Sequence, residues 1–99
     1  MMEADRTPAD RVPSGTIRRA EGVVARDMGD RAVLIQLRTN RIFELNASGL
    51  KIWAMLEHGA ARDEICARLR GELAVPPVEI EGAVDDLLAA LRREELIHG

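Results

Sequence analysis

The side chains able to do chemistry are few, and their spacing does not bring them together. His58 and His98 are the only histidines and Cys66 is the only cysteine. A zinc site or a catalytic base needs such groups to converge, and no Cys-x-x-Cys or His-x-x-x-His spacing does this. His58 is expected in the last turn of a helix, where partial positive charge suits the helix dipole. Cys66 falls beside an apolar helical stripe, a common place for a free cysteine acting as a small hydrophobe. Trp53, also at helical spacing, reads as core. The acid pairs Asp63-Glu64, Asp85-Asp86 and Glu94-Glu95 are sequence neighbours, so on a helix they splay instead of facing one another. Glycine-rich phosphate loops are missing. The inventory therefore points to no enzyme, no metal and no cofactor.

Length and composition narrow the classes further. A chain of 99 residues builds one domain with one modest core. Hydrophobic residues at 46% and charged residues at 31% are ordinary for a globular chain. A net charge of -3 does not suit a general nucleic-acid or membrane binder, and 2% aromatics provide no stacking platform for bases. One cysteine forms no internal disulfide and suits a reducing cytoplasm. No apolar run approaches the roughly 20 residues of a membrane helix. The first fifteen residues lack the apolar centre of a signal peptide.

Any binding surface must then be positioned by a few elements. Met1 to Ile17 carries Pro8, Pro13, Gly15 and mixed charges, and reads as a flexible tail. The tail is expected over residues 1–20 and the domain over 21–99. Strands are expected at Val23-Val24, Arg31 to Arg38 and Arg41 to Leu45, joined by turns at Asp27 to Asp30 and at Thr39-Asn40. If Thr39-Asn40 is a two-residue turn, Leu37 opposes Ile42 and Gln36 opposes Phe43. One sheet face then shows Val33, Ile35, Leu37 and Ile42, and the other Leu34, Phe43 and Leu45. Both faces are apolar, so the second calls for a cover: the tail, a second copy of the chain, or a ligand.

Three helices follow. The first, Asn46 to Gly59, has Asn46 as N-cap and Gly49, Ile52, Trp53 and Leu56 on one stripe. The second runs from Arg62 to Leu73. The third, Val78 to Glu95, follows Pro76-Pro77. At about 100° per residue its apolar stripe is Ile80, Val84, Leu87, Leu88 and Leu91. Asp85 and Arg92 flank that stripe on one side, Ala83 and Ala90 on the other. The fold class is α+β and winged helix-turn-helix-like, a three-stranded antiparallel sheet followed by three helices. From Pro77 to Gly99 two arginines stand against six carboxylates, a net of -4. A helix entering a groove of phosphates should not be the most acidic segment of its chain.

The run Leu45-Asn46-Ala47-Ser48-Gly49, followed by Ile52-Trp53, Leu56 and Gly59, resembles the pattern of PqqD-like proteins, whose domain is also called the RiPP recognition element. Val33-Leu34-Ile35, Arg41 to Glu44, Ile65, Val84, Leu87-Leu88, Leu91 and Leu96-Ile97 extend the resemblance from about Gly22 to Ile97. Departures are Ala60-Ala61, where a Ser or Thr often caps the second helix, Glu95, where a Gly often precedes Leu-Ile, and Ala83, where an Asp often stands.

The resemblance implies a non-catalytic cytoplasmic module without cofactor or metal. It binds the leader segment of a ribosomally made precursor peptide and presents it to a modifying enzyme, such as a radical SAM maturase or a leader peptidase. A lasso-peptide pathway fits better than the quinone pathway itself. In such proteins the leader adds as a strand to the third β-strand and lies against the third helix. Carried over, the peptide-binding residues are Arg41, Ile42, Phe43, Glu44 and Leu45 on the strand, and Val84, Asp85, Leu87, Leu88, Leu91 and Arg92 on the helix. Phe43 and Leu88 are the stronger groove candidates, whereas Val84 and Leu91 read as core. Asp85 and Arg92 would select charged leader residues. Homodimerisation, a winged-helix DNA-binding regulator and a non-catalytic assembly subunit of a maturase complex are the alternatives. No salt-dependent retention on DNA at physiological ionic strength is expected, and its observation would favour the regulator.

Overall fold

In a computed structural model that describes residues 15–99, the chain runs β1 (Thr16–Arg19), β2 (Val23–Asp27), β3 (Ala32–Gln36), β4 (Arg41–Leu45), α1 (Ala47–Met55), β5 (Ala60–Ala61), α2 (Arg62–Glu72), α3 (Pro77–Arg93) and β6 (Ile97–His98). Two antiparallel sheets form, in the orders β2-β3-β4 and β5-β1-β6.

The second sheet corrects the expected tail. Thr16 to Arg19 is a strand, and its Ile17 is only 3% exposed. Ile17 pairs with Ala60 and Arg19 with Ile97, partners more than forty residues away. With one apolar side chain in four residues, β1 has no periodicity to reveal it. It is a strand because distant two-residue segments complete its hydrogen bonds. Arg19 fixes it in place. Its Nε and Nη2 donate to the Trp53 carbonyl at 3.0 and 2.6 Å, and its guanidinium stands 4.6 Å from the Trp53 ring centre, within cation–π range. The earlier part of the expected tail lies outside the described residues.

The larger sheet keeps the expected faces and changes the expected register. Gln36 pairs with Arg41, Ile35 with Ile42 and Leu34 with Phe43. The turn therefore has four residues, Leu37 to Asn40. The Asn40 amide donates to the Gln36 carbonyl at 2.7 Å, and Asn40 takes a left-handed φ of 62°. Moving the pairing by two residues preserves the side-chain parity, so Leu34, Phe43 and Leu45 still share the inner face. Among the described residues nothing covers the outer face, where Ile42 is 69% and Val24 44% exposed.

The helices pack beneath the inner face. Asn46 caps α1, its Oδ1 accepting from the Gly49 amide at 2.8 Å, a contact typically worth about 1 kcal/mol. Gly49 is buried because a side chain there would press within 3.1 Å of Leu45 Cδ2. The helix stops at Met55, short of Gly59, because the residues after it form a turn in which Gly59 takes φ 89° and feeds β5. At α2 the expected lack of a side-chain cap is seen, and the Glu64 carboxylate instead accepts from the Ala61 amide at 3.4 Å. Pro77 opens α3. Leu34, Leu45, Trp53, Leu56, Ile65, Val84 and Leu91 are among the core residues that join sheet to helices.

Two polar devices tie the pieces together. Gln36, 1% exposed, sits on the inner face of β3. Its Nε2 donates to the Glu95 carbonyl at 2.6 Å and its Oε1 accepts from the Arg38 amide at 3.1 Å. Arg38 also pairs with the Glu95 carboxylate. Glu95 holds a left-handed φ of 62°, and this conformation brings the Gln36 bond and the pairing of the chain's end into register. Between α2 and α3, Arg62 grips Asp85 with two bonds, Nε to Oδ1 at 2.5 Å and Nη2 to Oδ2 at 3.0 Å. Arg70 and Arg62 both approach Glu81, at 3.7 and 3.8 Å.

Removing the buried amide leaves its carbonyl partner unsatisfied, so Gln36→Ala should lower unfolding free energy by about 2 kcal/mol in urea denaturation. The Arg62 hydrogen bond holds the Asp85 carboxyl below its ordinary value of 3.8. Its contribution to stability is therefore present above that pH and is lost as pH falls through the lowered value. Asp85→Asn should be less stable than the parent at pH 7, and the two melting curves should converge in acid below about pH 3.8.

Candidate functional site

The sheet order leaves β4 as an edge. One side of its backbone pairs with β3, and on the other side its N–H and C=O groups have no strand partner among the described residues. Such an edge is a template for an added strand. Side chains alternate across it. Arg41, Phe43 and Leu45 point to the inner face, where Phe43 is half-buried against the core and Leu45 is 1% exposed. Ile42 and Glu44 point outward, with the Glu44 carboxylate 3.7 Å from Arg31.

The helix wall facing this edge is set by contacts at both of its flanks. Asp85 is held by Arg62 of α2, and Arg92 Nε donates to the Gly99 carbonyl at 2.9 Å. That flank is turned toward α2 and the chain's end. On the opposite flank Glu94 meets β4, its Oε2 accepting from Arg41 Nη2 at 3.0 Å. Ala83, Leu87 and Ala90 lie on the Glu94 side by helical spacing. Phe43 of β4 and Leu87 of α3 are both partly buried against the core, and the Arg41–Glu94 pair ties the start of β4 to the end of α3.

The sequence-derived candidates divide accordingly. Arg41 and Phe43 lie on the inner face of the edge strand, Ile42 and Glu44 on its outer face, and Leu87 is partly buried at the margin of the α3 stripe. Leu45, Val84, Leu88 and Leu91 are each 3% exposed or less and form core. For Val84 and Leu91 that was the expectation. For Leu88 it is a correction, because the stripe rotates its centre into the domain and leaves Leu87 at the margin. Asp85 is engaged by Arg62, and Arg92 by the Gly99 carbonyl. Glu94, which was not among the candidates, pairs with Arg41 of β4. The helical pattern presented two flanks, and only the docking of α3 on β4 chooses between them.

At the far end of β4 a cleft of about 390 Å³ is lined by Asp30, Arg31, Glu44, Leu45 and Asn46. Its charges are mixed, so it has no preference for one sign. Among the described residues no three His, Cys, Asp or Glu side chains gather as a metal site. Cys66 is buried, and desolvation pushes its thiol pKa up, which makes it a poor nucleophile. No helix among the described residues is long and apolar enough to cross a membrane.

The model of the family Coenzyme PQQ synthesis protein D (PqqD) matches residues 31–97. No curated protein sequence matches the chain. Two solved structures share the fold. One is TbiB1 in complex with the TbiA(beta) leader peptide, 34% identical with a TM-score of 0.76, the match covering 83% of this chain and 95% of that one. The other is a lasso peptide synthetase B1 complexed with the leader peptide, 18% identical with a TM-score of 0.73, covering 84% of this chain and 98% of that one. The second likeness carries the fold alone. The first joins fold and sequence over nearly the whole domain and agrees with the family match from residue 31 to residue 97: the chain belongs to the PqqD family.

Proposed function

We propose that this protein captures the leader segment of a ribosomally synthesised precursor peptide by strand addition to β4 and presents it to a modifying enzyme or leader peptidase of a lasso-type pathway. The observation that carries this reading is an open sheet edge tied to α3 by the Arg41–Glu94 pair, in a domain 34% identical to a protein solved with a leader peptide. Backbone hydrogen bonds to the edge supply affinity without regard to sequence, and side chains alternating into the groove supply selection. The binding contacts we assign are the β4 backbone, Arg41, Phe43, Leu87 and Glu94, with Ile42 and Glu44 along the outer side. The recognition domain includes Thr16 to Arg19, because β1 is integral to its second sheet.

The role is delivery, not catalysis. Action in the cytoplasm, where a precursor is translated, agrees with the single reduced cysteine. The acidic balance of α3 supports a peptide partner over nucleic acid.

Titration with the leader of the precursor encoded beside this gene, and with the TbiA(beta) leader peptide, should show saturable binding. Phe43→Ala should weaken it roughly tenfold, about 1.4 kcal/mol, while circular dichroism still reports a folded domain. Absence of binding to either leader at high micromolar concentration would overturn the reading.

A further inference from the structure

The outer face of the β2-β3-β4 sheet carries most of the large apolar side chains that the fold leaves in water. Six such side chains are exposed among the described residues, and Val24, Met28, Leu37 and Ile42 all belong to this face. The register puts them there. Val24 pairs with Ile35 and Ile35 with Ile42, so one row of three β-branched side chains crosses the sheet. The next row is Arg26, Val33 and Glu44. Hydrogen bonds carry the alternation past the strand ends: the Met28 amide donates to the Arg31 carbonyl at 2.8 Å, and the Leu37 amide to the Gly22 carbonyl at 2.9 Å. A solvated sheet face is ordinarily polar. A contiguous apolar patch rimmed by charge marks an interaction surface.

The order of charges in the second row fits one occupant, the same face of another copy. Arg26 stands on β2 and Glu44 on β4, with apolar Val33 between them. A two-fold axis parallel to β3 lays β2 of one copy over β4 of the other. Arg26 then stands over the partner's Glu44, and the symmetry repeats this pair. Val24 meets the partner's Ile42, while Val33, Ile35 and Leu37 meet their own copies on the axis. Such a surface is self-complementary, and sheets stacked in this way form an aligned sandwich. A two-fold across the strands fits badly, since it sets Arg26 on the partner's Arg26 or on the partner's Val24. Arg31 also falls on the axis, at the end of the face. It leans on its own Glu44 at 3.7 Å, so that carboxylate lies between Arg31 and the partner's Arg26. Three strands of five residues make a small face, below the roughly 800 Å² per partner of a standard interface. The association is therefore weak.

We propose that the outer sheet face is an isologous interface between two copies of this chain, in which Arg26 pairs with the partner's Glu44 and Val24 packs on the partner's Ile42. The inference is independent of the leader-binding reading. The two-fold axis sends the two β4 edges to opposite sides of the sandwich and leaves both open.

Sedimentation velocity of the full chain tests it. The sedimentation coefficient should rise from monomer toward dimer between about 10 µM and about 1 mM. Val24 is exposed on β2, across the sheet from β4, so Val24→Glu charges the face without disturbing the core. That variant should remain folded by circular dichroism, stay monomeric throughout, and keep its affinity for the TbiA(beta) leader peptide within about twofold. Arg26→Glu and Glu44→Arg should each weaken the dimer at least about tenfold, because each sets two pairs of like charge across the interface. An equimolar mixture of these two variants should dimerise again, since both pairs in the mixed dimer join opposite charges. A chain that stays monomeric at the highest concentration overturns the proposal, and if Val24→Glu then releases a bound modifying enzyme, the face belongs to that partner. A dimer indifferent to Val24→Glu, or single reversals that mixing fails to rescue, overturns it equally. A dimer that meets these expectations but binds no leader sinks the strand-addition reading and leaves this one standing.

Discussion

An edge strand that must accept a peptide cannot be braced by another strand, so it has to be held by its neighbour and from behind. Gln36 does this. Its side chain, buried on the inner face of the sheet, donates to the Glu95 carbonyl just past α3, and its backbone closes the turn that starts β4. One residue thus couples the start of the edge strand to the end of the helix that faces it. In the low-dielectric interior a satisfied amide is rigid and an unsatisfied one is expensive, so the geometry has little freedom. The Arg41–Glu94 and Arg38–Glu95 pairs repeat the same connection at the surface. Exposed pairs are worth little in stability, yet they add direction to a contact already fixed by burial.

The other side of α3 is held differently. The two-pronged grip of Arg62 on Asp85 and the shared Glu81 contacts brace it against α2. Most of the acidic charge that makes α3 an unsuitable DNA-reading helix is therefore spent on scaffold contacts or left in solvent.

Much of this was legible in the sequence. Alternation in Val33 to Leu45, the Asn46 cap, the helical stripes and the prolines before α3 each encode local structure by a local rule. The sheet faces survived even an error in the turn length, because parity depends on an even shift and not on the exact partner. What escaped were features made by pairs far apart in the chain. Thr16 to Arg19 has no local strand signal, and it becomes a strand through Ala60-Ala61 and Ile97-His98. Leu88 and Leu87 are adjacent on one stripe, and a rotation of a few tens of degrees decides which is core and which is groove.

By itself, then, the sequence determined the three-stranded meander, the three helices after it, most core-facing residues and the family resemblance, since all of these follow from spacing along one segment or from composition. The tertiary structure alone decided the second sheet and which flank of α3 faces the edge strand. It also paired Asp85 with Arg62 and Arg92 with the Gly99 carbonyl, and brought Glu94 to Arg41 of the edge strand. The physical reason is that a helix carries its flanks symmetrically about its apolar stripe. Only the rigid docking of that stripe, fixed by Gln36 on one side and Arg62 on the other, turns one flank toward α2 and the other toward the edge strand.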